Sequence, residues 1–208
     1  MSPKPVLLSR VRLRSAVWLV LLVALLSGLT GCGVNNIPRD NQAVNAAWSQ
    51  VQNEYQRRAD LVPNLVQTVK GYAQQERETL TAVTEARAKA TSIQVDASTI
   101  DNPEKLQQFA QAQGQLSGAL GKLLAVSERY PDLKSNQNFL ALQSQLEGTE
   151  NRIAVARRDY IQAVQKYNTE LVTFPGRFWH WMMYGDMKQH ANFQATADNA
   201  DQAPKVQF

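Results

Sequence analysis

One apolar stripe through residues 40–91 restricts the fold more than any other feature. Apolar or aromatic residues recur in it every three or four positions, namely Val44, Trp48, Val51, Tyr55, Val62, Val66, Val69, Tyr72, Leu80 and Val83. This spacing places them on one face of an α-helix. At 1.5 Å per residue such a helix would be roughly 75 Å long. A stripe of that length needs partner helices to cover it, which indicates a helical bundle.

Pro63 lies inside this stripe and is predicted to kink or break the helix. Proline has no backbone donor, and its ring crowds the carbonyl group four residues earlier. Asn64 follows directly and is a candidate to satisfy backbone groups that a kink would leave unpaired. The number of helices therefore depends on what happens at Pro63.

Two further long helices are predicted after the stripe. The first follows Asp101-Asn102-Pro103, a cap with proline at the first helical position, and extends to about Glu128. The second begins near Ser135-Asn136, carries a heptad pattern and ends at Phe174-Pro175-Gly176. Lengths of roughly 50, 26 and 38 residues predict an all-α, antiparallel bundle of three long helices, or four if the first breaks at Pro63.

Four glycines inside these helices lead us to expect close helix–helix contact at Gly71, Gly114, Gly118 and Gly121. A glycine inside a helix costs about 1 kcal/mol relative to alanine, so packing should compensate for it.

The N-terminus is typical of a bacterial export signal. Lys4–Arg14 is cationic, Ala16–Leu26 is apolar, and Leu29-Thr30-Gly31-Cys32 resembles the lipobox, in which the thiol is acylated before the chain is cut in front of it. We therefore predict a lipoprotein signal peptide at residues 1–31, followed by the lipidated N-terminus and a tether at residues 32–39.

An uncleaved membrane anchor is the alternative. The apolar run from Ala16 to Leu26 spans only about 16 Å as a helix, against about 30 Å of bilayer hydrocarbon. Cys32 is the only cysteine in the chain, and it stands where the lipobox requires it. Gly33 after it, in place of aspartate, favours the outer membrane if the source is diderm, with the folded part in the periplasm.

Charge and ligand supply exclude several classes of function. Of the 22 Lys and Arg residues, four precede Cys32 in a leader without acids, and the other 18 balance the 18 Asp and Glu residues. A neutral domain is a poor candidate for nucleic-acid binding. One cysteine and two histidines make a metal site hard to build, and we expect no cofactor.

Several blocks resemble the signature of the LemA family. They are Ala47–Val51, Tyr55–Val66, Thr68–Ala73 and Gln145–Ile153, and the Arg-Arg-x-Asp-Leu-x-Pro-Asn-Leu block is the most specific. The resemblance implies an antiparallel helical bundle held to a bacterial membrane, with no established catalytic residues to transfer. Many members look like single-pass N-terminal anchors, whereas this chain has a lipobox.

Polar residues in these blocks are the candidate site residues. They are Arg57, Arg58, Asp60, Asn64 and Lys70 on the first helix, and Glu147, Glu150, Asn151 and Arg152 on the last. Glu147 and Glu150 share a helix face, as paired catalytic or metal-binding carboxylates would. Neither is followed by histidine three residues later, as di-iron bundles require. We expect structural ion pairs across the bundle, with partner recognition and catalysis as alternatives.

An aromatic segment follows the bundle of residues 40–174. Phe178, Trp179, Trp181 and Tyr184 are candidates either to cap an open bundle end or to enter a lipid interface. From Gly185 the chain is polar and without periodicity, so residues 175–208 are predicted to be this segment and a mobile tail.

These features predict a non-enzymatic, membrane-anchored envelope lipoprotein that acts as a scaffold or adaptor for other envelope proteins. A membrane-shaping or membrane-surface-binding protein is the first alternative, and a subunit of an envelope hydrolase is the second.

Overall fold

The structure, a computed structural model, describes Trp18 and residues 33–93 and 96–193. Residues 33–93 and 96–193 form seven α-helices: α1 Asn36–Tyr72, α2 Arg77–Ser92, α3 Ala97–Ile100, α4 Pro103–Val126, α5 Pro131–Lys134, α6 Gln137–Val172 and α7 Gly176–Met183. A 3₁₀ turn at Ser127–Arg129 precedes α5. The described residues contain no β-strand, which confirms the all-α prediction.

The two longest helices, α1 and α6, form an antiparallel pair. At one end Asn36 Nδ2 donates to Glu170 Oε1 at 3.0 Å. At the other end Asn136 Nδ2 donates to the Tyr72 hydroxyl at 2.8 Å. α2 packs against both α1 and α4, so the shorter helices cover the apolar stripe of α1 that α6 leaves free.

Of the kink or break predicted at Pro63, the break does not occur, because α1 continues through this residue to Tyr72. Pro63 lies on the exposed side of the helix. The carbonyl of Ala59, which would accept from residue 63 in an ordinary helix, instead accepts from Arg87 Nε of α2 at 2.8 Å. Arg87 thus does what we expected of Asn64, whose side chain is exposed.

The helix break occurs instead at residues 73–76. Ala73 is buried and its N–H still bonds to Val69, whereas the following residues form a turn into α2. Glu76 ties this turn to the segment between α4 and α5. It accepts from Arg129 at 2.9 Å and from the Tyr130 hydroxyl at 3.1 Å. The long apolar stripe is therefore shared by two helices that pack against each other.

The glycines of α1 and α4 do not mediate helix contact, contrary to prediction. A Cβ atom added at Gly71, Gly114, Gly118 or Gly121 would meet no heavy atom within 4 Å. The inward face of α4 is formed by larger side chains, among them Leu116, Leu120 and Leu123. Close approach occurs at Gly176, where a Cβ would overlap the carbonyl oxygen of Glu170.

Residues 185–193 lie folded on the bundle, so this part of the predicted mobile tail is wrong. The Tyr160 hydroxyl donates to the Ala191 carbonyl at 2.7 Å, and the Tyr167 hydroxyl donates to the Lys188 carbonyl at 3.0 Å. Ala191 N–H donates to the carbonyl of Ile100. Bonds to the backbone hold a segment whose side chains carry no periodic pattern. Residues 194–208 lie outside the described residues.

Candidate functional site

Two apolar cores fill the bundle, one above the other. The first includes Trp48, Tyr160 and Tyr167, close to the start of α1 and the end of α6. The second includes Leu65, Leu120 and other residues around the end of α1. Between them lie six residues that we call the polar layer: Glu54, Arg58, Gln113, Thr149, Glu150 and Arg152.

Arg58 is the centre of the polar layer, with only 1% of its surface exposed. Its Nη1 donates to Glu150 Oε1 of α6 at 2.9 Å and to the Ser117 hydroxyl of α4 at 2.5 Å. Its Nη2 donates to both the carbonyl and the side-chain oxygen of Gln113, at 2.9 and 2.6 Å. A single guanidinium therefore ties three helices together.

Burial of this charge is compensated by its surroundings. A buried charge is costly unless it is paired and hydrogen-bonded, and Arg58 has one carboxylate and three neutral oxygens. The guanidinium carbon also lies 5.0 Å from the centre of the Tyr55 ring, a cation–π contact. Burial raises the pKa of Tyr55, which keeps this phenol neutral in the physiological range.

A second ion pair crosses the same two helices in the opposite sense. Arg152 Nε of α6 donates to Glu54 Oε2 of α1 at 3.1 Å, and Arg152 Nη2 donates to the buried hydroxyl of Thr149. Each long helix thus contributes one cation and one anion to the layer. In an antiparallel pair, sliding one helix by a turn would separate both pairs, so the arrangement specifies register.

The remaining candidate residues from the sequence lie outside the layer. Arg57, Asp60, Asn64, Lys70, Glu147 and Asn151 have exposed side chains. Asp60 accepts from Gln56 and Glu147 accepts from Gln143, each four residues away on its own helix. The structure brings together Arg58 with Glu150, and it places Arg152 beside them.

Sequence reasoning missed Glu54, Gln113, Ser117 and Thr149. Glu54 precedes Arg58 by four residues, the spacing that puts two side chains on one helix face, so this signal was available. Gln113 and Ser117 sit at the same spacing on α4 among small residues, and nothing in their neighbourhood distinguished them from surface residues.

The layer is arranged for internal pairing. Arg58, Glu54, Gln113 and Thr149 are each less than a tenth exposed. A cleft of about 270 Å³ between α1, α2 and α4 approaches the layer and is lined in part by Tyr55, Phe109 and Gln113. Within residues 33–93 and 96–193, no group of three or more His, Cys, Asp or Glu side chains is placed to hold a metal ion.

The aromatic segment has two different faces. Trp179 and Tyr184 are half-buried against the first core, as a bundle cap would be. Phe178 and Trp181 point away from it, with 44% and 78% of their surfaces exposed. The side of α7 that faces the first core therefore fits a bundle cap, and the opposite side is an exposed surface.

Comparison with known proteins gives the family. A model of the LemA family matches residues 47–208, more than half of the chain. The chain belongs to the LemA family. Both ion pairs of the polar layer fall inside the matched residues, as do the blocks by which the sequence resembles this family.

Curated relatives fall into two groups. Protein LemA of Metamycoplasma hominis is 28% identical over 140 residues, 67% of this chain and 60% of the relative. Magnetosome protein MamQ 2 of Paramagnetospirillum magneticum is 36% identical over 73 residues, 35% of this chain and 26% of the relative. Magnetosome protein MamQ of Magnetospirillum gryphiswaldense is 31% identical over 64 residues, 31% of this chain and 24% of the relative. The chain thus spans less than two thirds of these relatives.

The predicted lipidation site and lipobox of this LemA-family chain, Leu29-Thr30-Gly31-Cys32, lie outside the described residues. Among the helices that the structure describes, none is both long and apolar enough to cross a bilayer.

Proposed function

We propose that this LemA-family chain is a non-enzymatic envelope lipoprotein whose bundle acts as a scaffold or adaptor for other envelope proteins. In this proposal Cys32 carries the lipid, and the folded part extends from a membrane into the periplasm. Membership of the LemA family supports one part of this proposal, the association with the bacterial envelope.

The observation that carries the proposal is the pairing within the polar layer. Arg58 with Glu150 and Glu54 with Arg152 join α1 to α6, and both pairs lie between two apolar cores. Side chains that act on a substrate need a polar atom directed at a cavity that can hold it. The charged side chains of these two ion pairs are directed at one another. Such pairing suits a rod that must keep one shape while partners bind outside it.

The two groups of relatives support the same view. Parts of this chain are similar to a protein named LemA and to proteins named for the magnetosome. A helical module that holds its own shape can serve different assemblies through different outer surfaces, which is what a scaffold does.

Site-specific photo-crosslinking in living cells tests the scaffold role. The full chain would carry a photoreactive residue at exposed positions of α4, such as Gln111 and Lys122, and at Arg158 of α6. We expect neighbouring positions on one face to capture the same envelope protein, with the opposite face as the control. An absence of discrete adducts on every face would contradict the proposal.

A matched variant separates scaffold from enzyme. If Glu150→Gln left the fold and the crosslinks intact but abolished the cellular phenotype of the protein, the layer would perform chemistry, and the scaffold proposal would be wrong.

Metabolic labelling with palmitate tests the anchor independently: wild type should be labelled and Cys32→Ala should not.

A further inference from the structure

The outer face of α7 forms an exposed apolar surface at one end of the bundle. We call it the aromatic patch and define it by Phe174, Phe178, Trp181, Met182 and Met183. All five side chains are between 44% and 86% exposed. Single exposed apolar residues are ordinary, whereas clustered ones mark a contact surface. The rings of Phe178 and Trp181 lie 6.5 Å apart, and Met182 and Met183 follow directly in the sequence.

The patch lies where the chain enters the fold. A Cβ atom built on Gly33 would be 3.7 Å from Pro175 Cγ, directly before α7. Asn36 in the first turn of α1 bonds to Glu170 in the last turn of α6. Gly33 is joined to Cys32, so an acyl group on that thiol would bring the bilayer surface to this end of the bundle.

The chemistry of the patch fits the boundary between lipid headgroups and acyl chains. Tryptophan is favoured there because its ring is apolar and its N–H is polar, and methionine adapts to irregular apolar surroundings. Arg177 within α7 and Arg39 in the first turns of α1 are exposed at the same end and can meet anionic headgroups. The opposite charges of Asp186 and Lys188, both exposed just after α7, cancel.

We propose that the aromatic patch inserts into the interface of the bilayer that anchors the chain and fixes the bundle upright on it. This rests on the proposed lipid anchorage and adds a second, non-covalent contact. Trp179 on the inner face of α7 and Tyr184 just after it pack against the first core. The position of the patch is therefore fixed relative to the bundle.

Fluorescence quenching by brominated lipids tests this contact. The full processed protein would be reconstituted into vesicles of phosphatidylethanolamine and phosphatidylglycerol, with or without brominated acyl chains. We expect brominated lipid to quench the wild-type emission, and Trp181→Phe to lose at least half of this quenching. The matched control adds Leu140→Trp to the Trp181→Phe variant, because Leu140 is an exposed apolar residue at the far end of α6. The added tryptophan should show no quenching.

Flotation of the same vesicles distinguishes the two proposals. Protein that floats without quenching at Trp181 would contradict insertion of the patch and leave the anchor standing. Protein that fails to float would contradict both. If Trp181 were shielded from both brominated lipid and aqueous acrylamide, another protein copy would cover the patch, and the proposal would be wrong. Equal quenching at positions 140 and 181 would also overturn it, since the bundle would lie flat.

Discussion

Arg58 Nη1 and Glu150 Oε1 meet 2.9 Å apart, joining residues that are 92 positions apart in the sequence. The two side chains are buried to different extents, 2% exposed for the arginine and 41% for the glutamate. Water can hydrate Glu150 if its partner is lost, whereas Arg58 has no access to water. The pair is therefore more sensitive to loss of the acid's charge than the exposure of Glu150 alone would indicate.

Glu150→Gln should destabilise the bundle more than Glu147→Gln. The amide can still accept from Arg58, but the buried cation loses its counter-charge, so we expect a loss of about 1–2 kcal/mol. Glu147 is exposed and bonds only to Gln143 of its own helix, so its change should stay within about 0.5 kcal/mol. Urea unfolding followed by circular dichroism measures both. Equal losses would show that the pair contributes nothing specific.

Arg87→Ala should destabilise the protein only while residue 63 is proline. The arginine satisfies the Ala59 carbonyl that Pro63 leaves without a donor, and an unsatisfied buried carbonyl costs about 1–3 kcal/mol. With Pro63→Ala, the N–H of residue 63 can take over, so Arg87→Ala should then cost much less.

A double-mutant cycle in urea measures this coupling. Arg77→Ala on the exposed surface of the same helix serves as the control and should behave alike in both backgrounds. If Arg87→Ala cost the same free energy with and without Pro63, the carbonyl contact would not explain how α1 tolerates its proline.

Helical periodicity and capping residues predicted most of the long helices. Asn102 accepts from the N–H groups of Glu104 and Lys105, so the predicted cap is confirmed there. Asn136, near the predicted start of the last helix, accepts from the N–H of Phe139. Pro63 alone does not decide whether the helix ends, because its cost depends on whether another side chain reaches the freed carbonyl. That side chain, Arg87, lies 28 residues away on another helix.

Burial and long-range pairing were the parts that local patterns could not predict. The glycines of α4 suggest a helix contact, but the periodic apolar residues Leu116, Leu120 and Leu123 form the inward face, and the glycines lie on the exposed side. Residues 185–193 lack a helical pattern because they form no helix. The bundle holds them through their backbone, as at Ala191 and Lys188, and through the ring of Phe193. Glu150 could be placed in an ion pair, but only the packing of α1 on α6 selected Arg58 over Arg57.

Phe193→Ala should loosen the segment that folds back on the bundle. The Phe193 ring lies 5.4 Å from the Tyr160 ring and 6.2 Å from the Trp48 ring, and the Arg157 guanidinium lies 4.5 Å from its centre. Phe193 is half-buried, so we expect a loss of roughly 1–2 kcal/mol, below that of a fully buried phenylalanine.

Hydrogen exchange at the amide of Ala191 reports this change directly, because that N–H bonds to the Ile100 carbonyl. Exchange should accelerate in Phe193→Ala. It should remain slow in Lys188→Ala, which removes an exposed side chain and keeps the backbone carbonyl used by Tyr167. Unchanged protection in both variants would mean that the phenylalanine does not hold the segment.

Alkaline pH should unfold the protein through Tyr160 and Tyr167. Burial raises the pKa of both phenols, and the negative charge of Asp101 raises it further. In the unfolded chain tyrosine titrates near pH 10, at about its ordinary value. The folded state therefore keeps its phenolic protons to higher pH, and this stabilisation is complete below about pH 10 and decreases as pH rises beyond it.

The double variant Tyr160→Phe, Tyr167→Phe should flatten this alkaline decrease. At pH 8 it should be less stable than wild type by about 1 kcal/mol per lost hydrogen bond, because both hydroxyls donate to carbonyls of the folded-back segment. Between pH 9 and pH 11 its urea midpoint should fall less steeply, since two linked groups are absent. Tyr72→Phe, which removes an exposed hydroxyl, should keep the wild-type slope. A double variant with that same slope would show that alkaline unfolding begins at other groups.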